Sequence, residues 1–396
     1  MPRVLLIIPT TSYRATDFFA AAESLGVEVA VAAEESLPLV EPERFLAIDC
    51  RHPEEAARAI VDLATETPID AIVPVDDAGV VIAALAAQKL GLPHNSPESA
   101  SATRDKAVMR RLLAAAEVDQ PAFAVTDGDP SAAAASIGFP LVIKPRSLSA
   151  SRGVIKVDAP SDLAPTIARV REIANDRTVL TEEFVDGPEV AVEGMLWAGE
   201  LEVLAIFDKP DPLNGPFFEE TIFVTPSRLE APVQQEVARV TQSAISALGL
   251  TEGPIHAELR IAGGNRPRLI EVAARSIGGI CGRSLNFGLL DTPLEALILR
   301  HALGRRASLP TKAGASGVMM IPTTANGILK GVKGIDAARR VEGVRSIEIT
   351  TPVGAPLRPV PESDRYLGFI FAAGPDAGSV EASLRQAHAQ LVIDIS

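Results

Sequence analysis

The stretch Gly253–Gly279, GPIHAELRIAGGNRPRLIEVAARSIGG, decides the fold and poses a problem of charge. Alternation places His256, Glu258 and Arg260 on one face of a strand and Ile255, Ala257, Leu259 and Ile261 on the other. GGNR is a turn signal, and PRLIEVA resumes as a second strand. With Gly263–Arg266 as the loop, Ala262 faces Pro267 and, counting back, Glu258 faces Glu271. Opposed side chains on antiparallel strands have β-carbons about 5 Å apart, where like charges repel. Such a hairpin raises the question of which cation holds the two carboxylates together.

Composition narrows the answer. The 396 residues are 47% hydrophobic and 22% charged, a globular balance with length for two or three domains. A net charge of −14 and a pI near 5.0, with no basic stripe, argue against a nucleic-acid partner. No membrane partner is expected either. The N-terminal VLLII is a strand-length run broken at Pro9, and the apolar run AGVVIAALAA is too short to cross a bilayer. Cys50 and Cys281 make no disulfide framework and sit in no metal-ligand spacing. The expectation is a soluble cytoplasmic protein.

Upstream of the hairpin, strand and helix patterns alternate: VLLII, ATDFFAAAESLG, VEVAVAA, PEEAARAIVDLATE, IDAIVPV and GVVIAALAAQKLG. That order implies an open parallel sheet in an N-terminal α/β lobe over residues 1–95. The lobe has no GxGxxG, so it reads as a structural lobe that helps hold a substrate. SPES caps a helix predicted to run through RDKAVMRRLLAAAE, and residues 233–249 form another long helix. After about residue 310, the strands SGVMMIP, SIEITT and YLGFIFA with the helix VEASLRQAHAQL suggest an appended C-terminal α+β domain, 306–396. Between them lies a region 96–305, with a smaller unit at about 136–185 that reads strand, polar loop, strand, helix, strand.

That smaller unit carries further chemistry. In FPLVIKPRSLSASRGV, Lys144 ends a buried-strand pattern and must find an anion or water. The small-residue loop Ser147–Gly153 beside it can present backbone N–H groups to phosphate oxygens, although a plain surface hairpin fits the pattern equally. It is not a P-loop, since GxxxxGK[ST] is absent. In TEEFVDGPEVAVEG, Glu182 and Glu183 end a strand, Gly187-Pro188 turn the chain, and Glu189 opens the next strand.

Taken in order, these motifs resemble the ATP-grasp superfamily of ADP-forming carboxylate–amine ligases over roughly residues 96–300. The resemblance implies an ATP-grasp core of two α+β subdomains, with ATP and Mg²⁺ (or Mn²⁺ in its place) as cofactors. Lys106 and Lys144 then match the two phosphate-binding lysines, and SLSASRGV, with Ser149, Ser151 and Gly153, the mobile phosphate loop. EEFV matches the hinge that reads adenine through Glu182 and the backbone of Glu183 and Val185, and Glu189 matches the ribose ligand. Glu258 and Glu271 match the metal-binding pair, with Arg275 beside the reacting phosphate. Mg²⁺ prefers carboxylates combined with substrate phosphates, which answers the charge problem of the hairpin. One departure stands out: the family's asparagine two residues after the second glutamate is here Ala273.

The implied reaction is phosphorylation of a carboxylate to an acylphosphate, followed by attack of an amine, both small-molecule substrates. FDKPDPLNGPFFEETIFVTP resembles the L-amino-acid ligase branch, with Glu220 as the acidic substrate residue, and Phe223 where that branch often has a histidine. His256 is a second candidate near the nucleophile, or a structural histidine. Gly278 and Gly279 leave space past Arg275 for a bulky acyl side chain, or serve a tight turn. Two other readings stay open: an ATP-grasp carboxylase or purine-pathway enzyme acting on bicarbonate or formate, and a degenerate nucleotide-binding module without turnover. A homodimer is also left open.

Overall fold

Four strands, Arg3–Ile7, Glu28–Ala33, Phe45–Ala47 and Ala71–Pro74, open the chain as a parallel sheet, with Arg3–Ile7 between Glu28–Ala33 and Ala71–Pro74. The computed structural model describes residues 1–10, 12–38, 40–288, 290–306, 313–363 and 365–396. The first strand is apolar on both faces because both are covered. Val4 and Leu6 pack with Phe18 of the helix Ala15–Leu25, whereas Leu5 and Ile7 pack with Ile60 and Ile82 of the helices Pro53–Glu66 and Val80–Leu90. Gly26 and Gly91 end two of these helices in the left-handed conformation that only glycine adopts without strain. The strand Ala71–Pro74 ends at Val75-Asp76-Asp77, so an acidic pair sits at the carboxyl edge of the sheet, where open α/β sheets bind ligands.

The helix expected to run from SPES through RDKAVMRRLL is two helices, Pro97–Arg104 and Lys106–Ala115. Asp105 breaks it by leaving the helical region and capping the second helix, its carboxylate accepting from the Ala107 and Val108 N–H groups at 2.9 and 3.2 Å. The break places Lys106 at the first turn of a new helix, where it is buried. The smaller subdomain follows as an antiparallel sheet of Phe123–Thr126, Val179–Glu183, Leu141–Pro145 and Ile155–Val157, in that spatial order, with the helix Leu163–Ala174 packed against it.

An eight-stranded antiparallel sheet carries the rest. Its order is Arg266–Ala273, Gly253–Ala262, Glu189–Trp197, Glu200–Lys209, Ile222–Thr225, Ala315–Ile321, Gly368–Gly374 and Val344–Ile349. The helix Ala231–Leu248 buries Val237, Ala244 and Ile245 against it. The C-terminal strands therefore continue the same sheet, joined by Val224 opposite Gly317, so the edge of Ile222–Thr225 is paired rather than exposed. The expected boundary at 306 falls beside residues 307–312, which lie outside the described residues. Three short strands, Pro356–Leu357, Gly327–Lys333 and Val392–Ile395, form a further sheet that the sequence patterns did not mark.

Glu258 does face Glu271, but by a different route from the one expected. The hairpin loop has three residues, Gly263–Asn265, with Gly264 and Asn265 at positive φ, so Ala262 pairs with Arg266 instead of Pro267. One extra residue, Ile270, bulges between Leu269 and Glu271 and restores the register at the glutamates. Gly187 locks this hairpin to the hinge. Its φ is +133° and a β-carbon there would lie 2.0 Å from the Ile261 carbonyl oxygen. Gly187→Ala should therefore cost at least ~1–3 kcal/mol of stability, the usual scale of overpacking. Gly263→Ala, whose β-carbon would meet nothing within 4 Å, should stay within ~0.5 kcal/mol of the parent. Urea denaturation of the two variants checks this; coincident midpoints would contradict it.

Candidate active site

The lobe, the smaller subdomain, the large sheet and the C-terminal segment meet around a cavity of about 460 Å³. Every candidate residue singled out from sequence lines it except Gly153, which ends the loop at positive φ and donates its N–H to the Pro361 carbonyl at 2.9 Å. In this structure the two facing glutamates are compensated by lysines. Lys106 Nζ lies 2.9 Å from Glu271 Oε1, and Lys209 Nζ lies 3.1 Å from Glu258 Oε1. Lys209 also pairs with Glu189 Oε1 at 2.6 Å and with Glu220. Among the described residues, Glu189, Glu220 and Glu258 are the carboxylates close enough together to hold one cation, and the Lys209 ammonium stands among them.

This cluster sets its own protonation. Burial would lower the Lys209 ammonium, but three carboxylates outweigh it and raise it well above the ordinary lysine value. Burial would raise Glu258, yet Lys209 and His256 hold it well below the usual carboxylate range. Glu220 goes the other way: burial, with Glu258 and Glu189 nearby, lifts it to about 7 despite Lys209. His256, buried on the Glu258 face of its strand, places Nδ1 3.1 Å from Glu193 Oε2 and Nε2 3.5 Å from Glu258 Oε1. Burial would lower it, but these two carboxylates raise it to about 9, an imidazolium at neutral pH. Glu193 is fully buried and also accepts from the Ile277 N–H at 3.0 Å, anchoring the segment after Arg275.

At the other end, Glu182 is buried and doubly paired, with Arg110 Nε at 2.7 Å and Lys144 Nζ at 2.7 Å. One carboxylate thus serves two cations, of which Lys144 lines the cavity. Burial, against the pull of Glu182, brings Lys144 down to about 8. Glu183 points away from Glu182, as alternation requires; its carboxylate pairs with Arg268 at 2.6 Å and its N–H donates to the Ala122 carbonyl at 2.9 Å. The Val185 carbonyl accepts from Arg260 Nη1 at 3.0 Å, and Arg260 Nε donates to Glu189 Oε2 at 2.9 Å. Lys106 also donates to the Leu148 carbonyl at 2.7 Å, tying the loop to the hairpin.

Arg275 and the loop meet on one residue that the sequence reading missed. Asp77 Oδ1 forms ion pairs with Arg275 Nε at 3.0 Å and Arg104 Nη1 at 2.9 Å, and its Oδ2 accepts from Arg275 Nη2 at 3.1 Å and from the Ser149 hydroxyl at 2.8 Å. Asp77 is held well below the usual range: burial would raise it, but the two guanidinium groups outweigh burial. Its signal was its place at the carboxyl edge of a parallel strand. Lys209 was noted only as part of the FDK motif and given no role, although it ends the apolar strand LEVLAIFDK as Lys144 ends FPLVIK.

The glycine pair divides in function. Gly279 has φ +59° and a β-carbon there would lie 2.9 Å from Phe369 Cζ, so of its two expected readings it fits the tight turn and not the open pocket. Gly278 is the open position, since a β-carbon there would meet nothing within 4 Å. Phe223 fills the place of the branch's histidine, with its ring 6.5 Å from that of His256 and Lys209 Nζ 5.1 Å above it.

A family model for the ATP-grasp domain matches residues 137–284, one for the ATP-grasp N-terminal domain matches 19–94, and one for L-amino acid ligase C-terminal domain 2 matches 319–396. The L-amino acid ligase of Bacillus licheniformis has a similar structure, with TM-score 0.85 and 26% identity, covering 100% of this chain and 99% of that one. The alanine–anticapsin ligase of Bacillus subtilis is 28% identical over 57% of this chain and 52% of its own length. A D-alanine–D-alanine ligase of Cupriavidus pinatubonensis is 29% identical over 50% of this chain and 62% of its own. The chain thus spans between half and two thirds of these curated relatives. Among the described residues no helix is long and apolar enough to cross a membrane. With its N-terminal, central and C-terminal segments all matched in order, the chain belongs to the ATP-grasp superfamily, in its L-amino-acid-ligase-like branch.

Proposed function

We propose that this chain is an ATP-dependent, ADP-forming ligase that phosphorylates the carboxylate of an amino acid and joins it to an amine, forming an amide or peptide bond. The observation that carries the reading is the line of charge along the cavity. It runs from Lys144 and Lys106, past the facing Glu258 and Glu271, to Arg275 on Asp77. The match of residues 319–396 to the ligase C-terminal domain favours an amine acceptor over the carboxylase reading.

In this reading Lys106, Lys144 and the Ser149–Ser151 loop bind the phosphates, and Glu182 keeps Lys144 aimed at them. Glu189 takes the ribose. With the Glu183 N–H and the Val185 carbonyl already engaged, a purine edge would use the Glu183 carbonyl and the Val185 N–H. Glu258 and Glu271 would hold Mg²⁺, or Mn²⁺, and the residues fit such an ion. They are paired hard-oxygen donors already compensated by two ammonium groups, with no side-chain donor at Ala273. When bound, the ion neutralises charge on the phosphate oxygens.

A carboxylate oxygen of the acid attacks the γ-phosphorus, ADP leaves, and an acylphosphate remains. Arg275 offers forked donors to the phosphoryl and acyl oxygens, where charge develops. The amine, once it has lost its ammonium proton, attacks the acyl carbon and inorganic phosphate departs. Glu220, raised to about 7, can hold an α-ammonium group or take that proton.

Glu271→Gln should lower steady-state ADP formation by at least ~100-fold, the scale of losing one strong electrostatic contact at a reacting centre. Unchanged turnover in that variant would remove the metal assignment. Binding of ATP should also depend on pH through Lys144. The ammonium is charged below about 8 and neutral above it, so affinity should be flat at pH 6.5–7 and fall as pH rises through 8. By pH 9.5 the loss should reach ~10-fold, and Lys144→Met should bind weakly with no such step. Calorimetric titration across that range checks it; a constant wild-type affinity would contradict the assignment.

A further inference from the structure

The end of the cavity beyond Arg275 is walled by rings. The chain has two tyrosines in 396 residues, Tyr13 from the N-terminal lobe and Tyr366 from the C-terminal segment, and both line this cavity. Both stand edge-on to one ring: Tyr13 and Tyr366 each lie 5.8 Å from Phe369, at interplanar angles of 75° and 69°. Phe369 itself is fully buried, with Gly279 packed so close that no side chain fits between them. The floor beneath is soft and uncharged. Cys281 Sγ lies 3.5 Å from Met320 Sδ, both buried, and burial pushes the Cys281 thiol up so that it stays protonated.

The polar groups stand at the rim of this box. The Tyr366 hydroxyl donates to Glu220 Oε2 at 3.3 Å, and Arg275 is fixed by Asp77. Only 4% of the chain is aromatic, and core packing around Phe369 could be met by aliphatic side chains. Rings with an apolar body and a polar tip suit a wall that must receive an apolar group while keeping a charged one oriented. Space for that group remains beside Gly278.

We infer that the acid accepted here is an α-amino acid with a flat aromatic side chain, seated against Tyr13 and Tyr366 in the space left at Gly278, with its ammonium group toward Glu220. This substrate class rests on the ligase reading given above. An entering ring continues the edge-to-face arrangement already made with Phe369, whereas a methyl side chain leaves the box unfilled.

The test uses the full chain with Mg²⁺ and a non-hydrolysable ATP analogue, titrated calorimetrically with L-phenylalanine, L-leucine and L-alanine, and in parallel ADP release from ATP with each acid and a panel of amines. L-Phenylalanine should bind at least ~10-fold more tightly than L-alanine and more tightly than L-leucine. Tyr13→Leu and Tyr366→Leu should each remove most of that preference while binding the analogue as before. Tyr13→Phe and Tyr366→Phe, which keep the rings, should retain it, and Gly278→Val should exclude L-phenylalanine. Equal binding of L-alanine and L-phenylalanine, with ADP released for both, would overturn the aromatic subsite and leave the ligase reading standing. No binding and no ADP release with any acid, while the analogue still binds, would overturn the ligase reading and the subsite together.

Discussion

Two carboxylates facing each other across a pair of antiparallel strands cannot stand in a cavity wall unless positive charge is brought to them. Much of the architecture around the hairpin supplies that charge. Lys209 arrives from the strand Glu200–Lys209, one strand beyond Glu189–Trp197 in the large sheet, and reaches Glu258 together with Glu189 and Glu220. Lys106 comes from a helix that exists because Asp105 interrupts the longer one. In the proposed reading a divalent ion would add to this neutralisation, beside glutamates that the two ammonium groups already hold in place.

The same economy of charge joins separate parts of the chain. Asp77 collects Arg275 and Arg104 from the central region and Ser149 from the Ser147–Gly153 loop, so the lobe, the turn at Arg275 and the loop share one carboxylate. Gly153 donates to Pro361, and Arg169 of the helix Leu163–Ala174 pairs with Glu362 at 2.6 Å, which brings the C-terminal segment onto the loop and the smaller subdomain. A buried ion pair of Arg14 with Glu295 at 2.8 Å, with Arg14 also bonded to Ser276 at 2.7 Å, holds the lobe against the residue next to Arg275. Breaking one member of such a set leaves the others unpaired in a low-dielectric setting. The placement of the Ser147–Gly153 loop is therefore tied to that of Arg275 through Asp77.

The sequence was most legible where periodicity and charge coincided. The parallel lobe, the helix Pro53–Glu66 and the alternation around His256, Glu258 and Arg260 followed from apolar spacing, because burial on fixed faces determines them. The pairing of Glu258 with Glu271 was reached with the wrong loop length, since neither a three-residue turn nor the bulge at Ile270 leaves a signal in apolar pattern. Asp77, Lys209 and Arg110 were passed over as site residues because each is defined by partners far away in the chain, which spacing along one element does not reveal. The division of work between Gly278 and Gly279 depends on Phe369, ninety residues on, and only the fold brings that ring to the turn.

In the proposed reaction the cavity activates a carboxylate by passing it the terminal phosphate of ATP. Transfer of oxygen tests that most directly. With an amino acid labelled with ¹⁸O in both carboxylate oxygens, the attacking oxygen should leave with the phosphate when the amine displaces it. Mass spectrometry of the inorganic phosphate formed during a single turnover should then find one ¹⁸O atom per phosphate, matched to each ADP and each amide bond. Unlabelled phosphate alongside amide formation would mean that no acylphosphate forms, and would contradict the account.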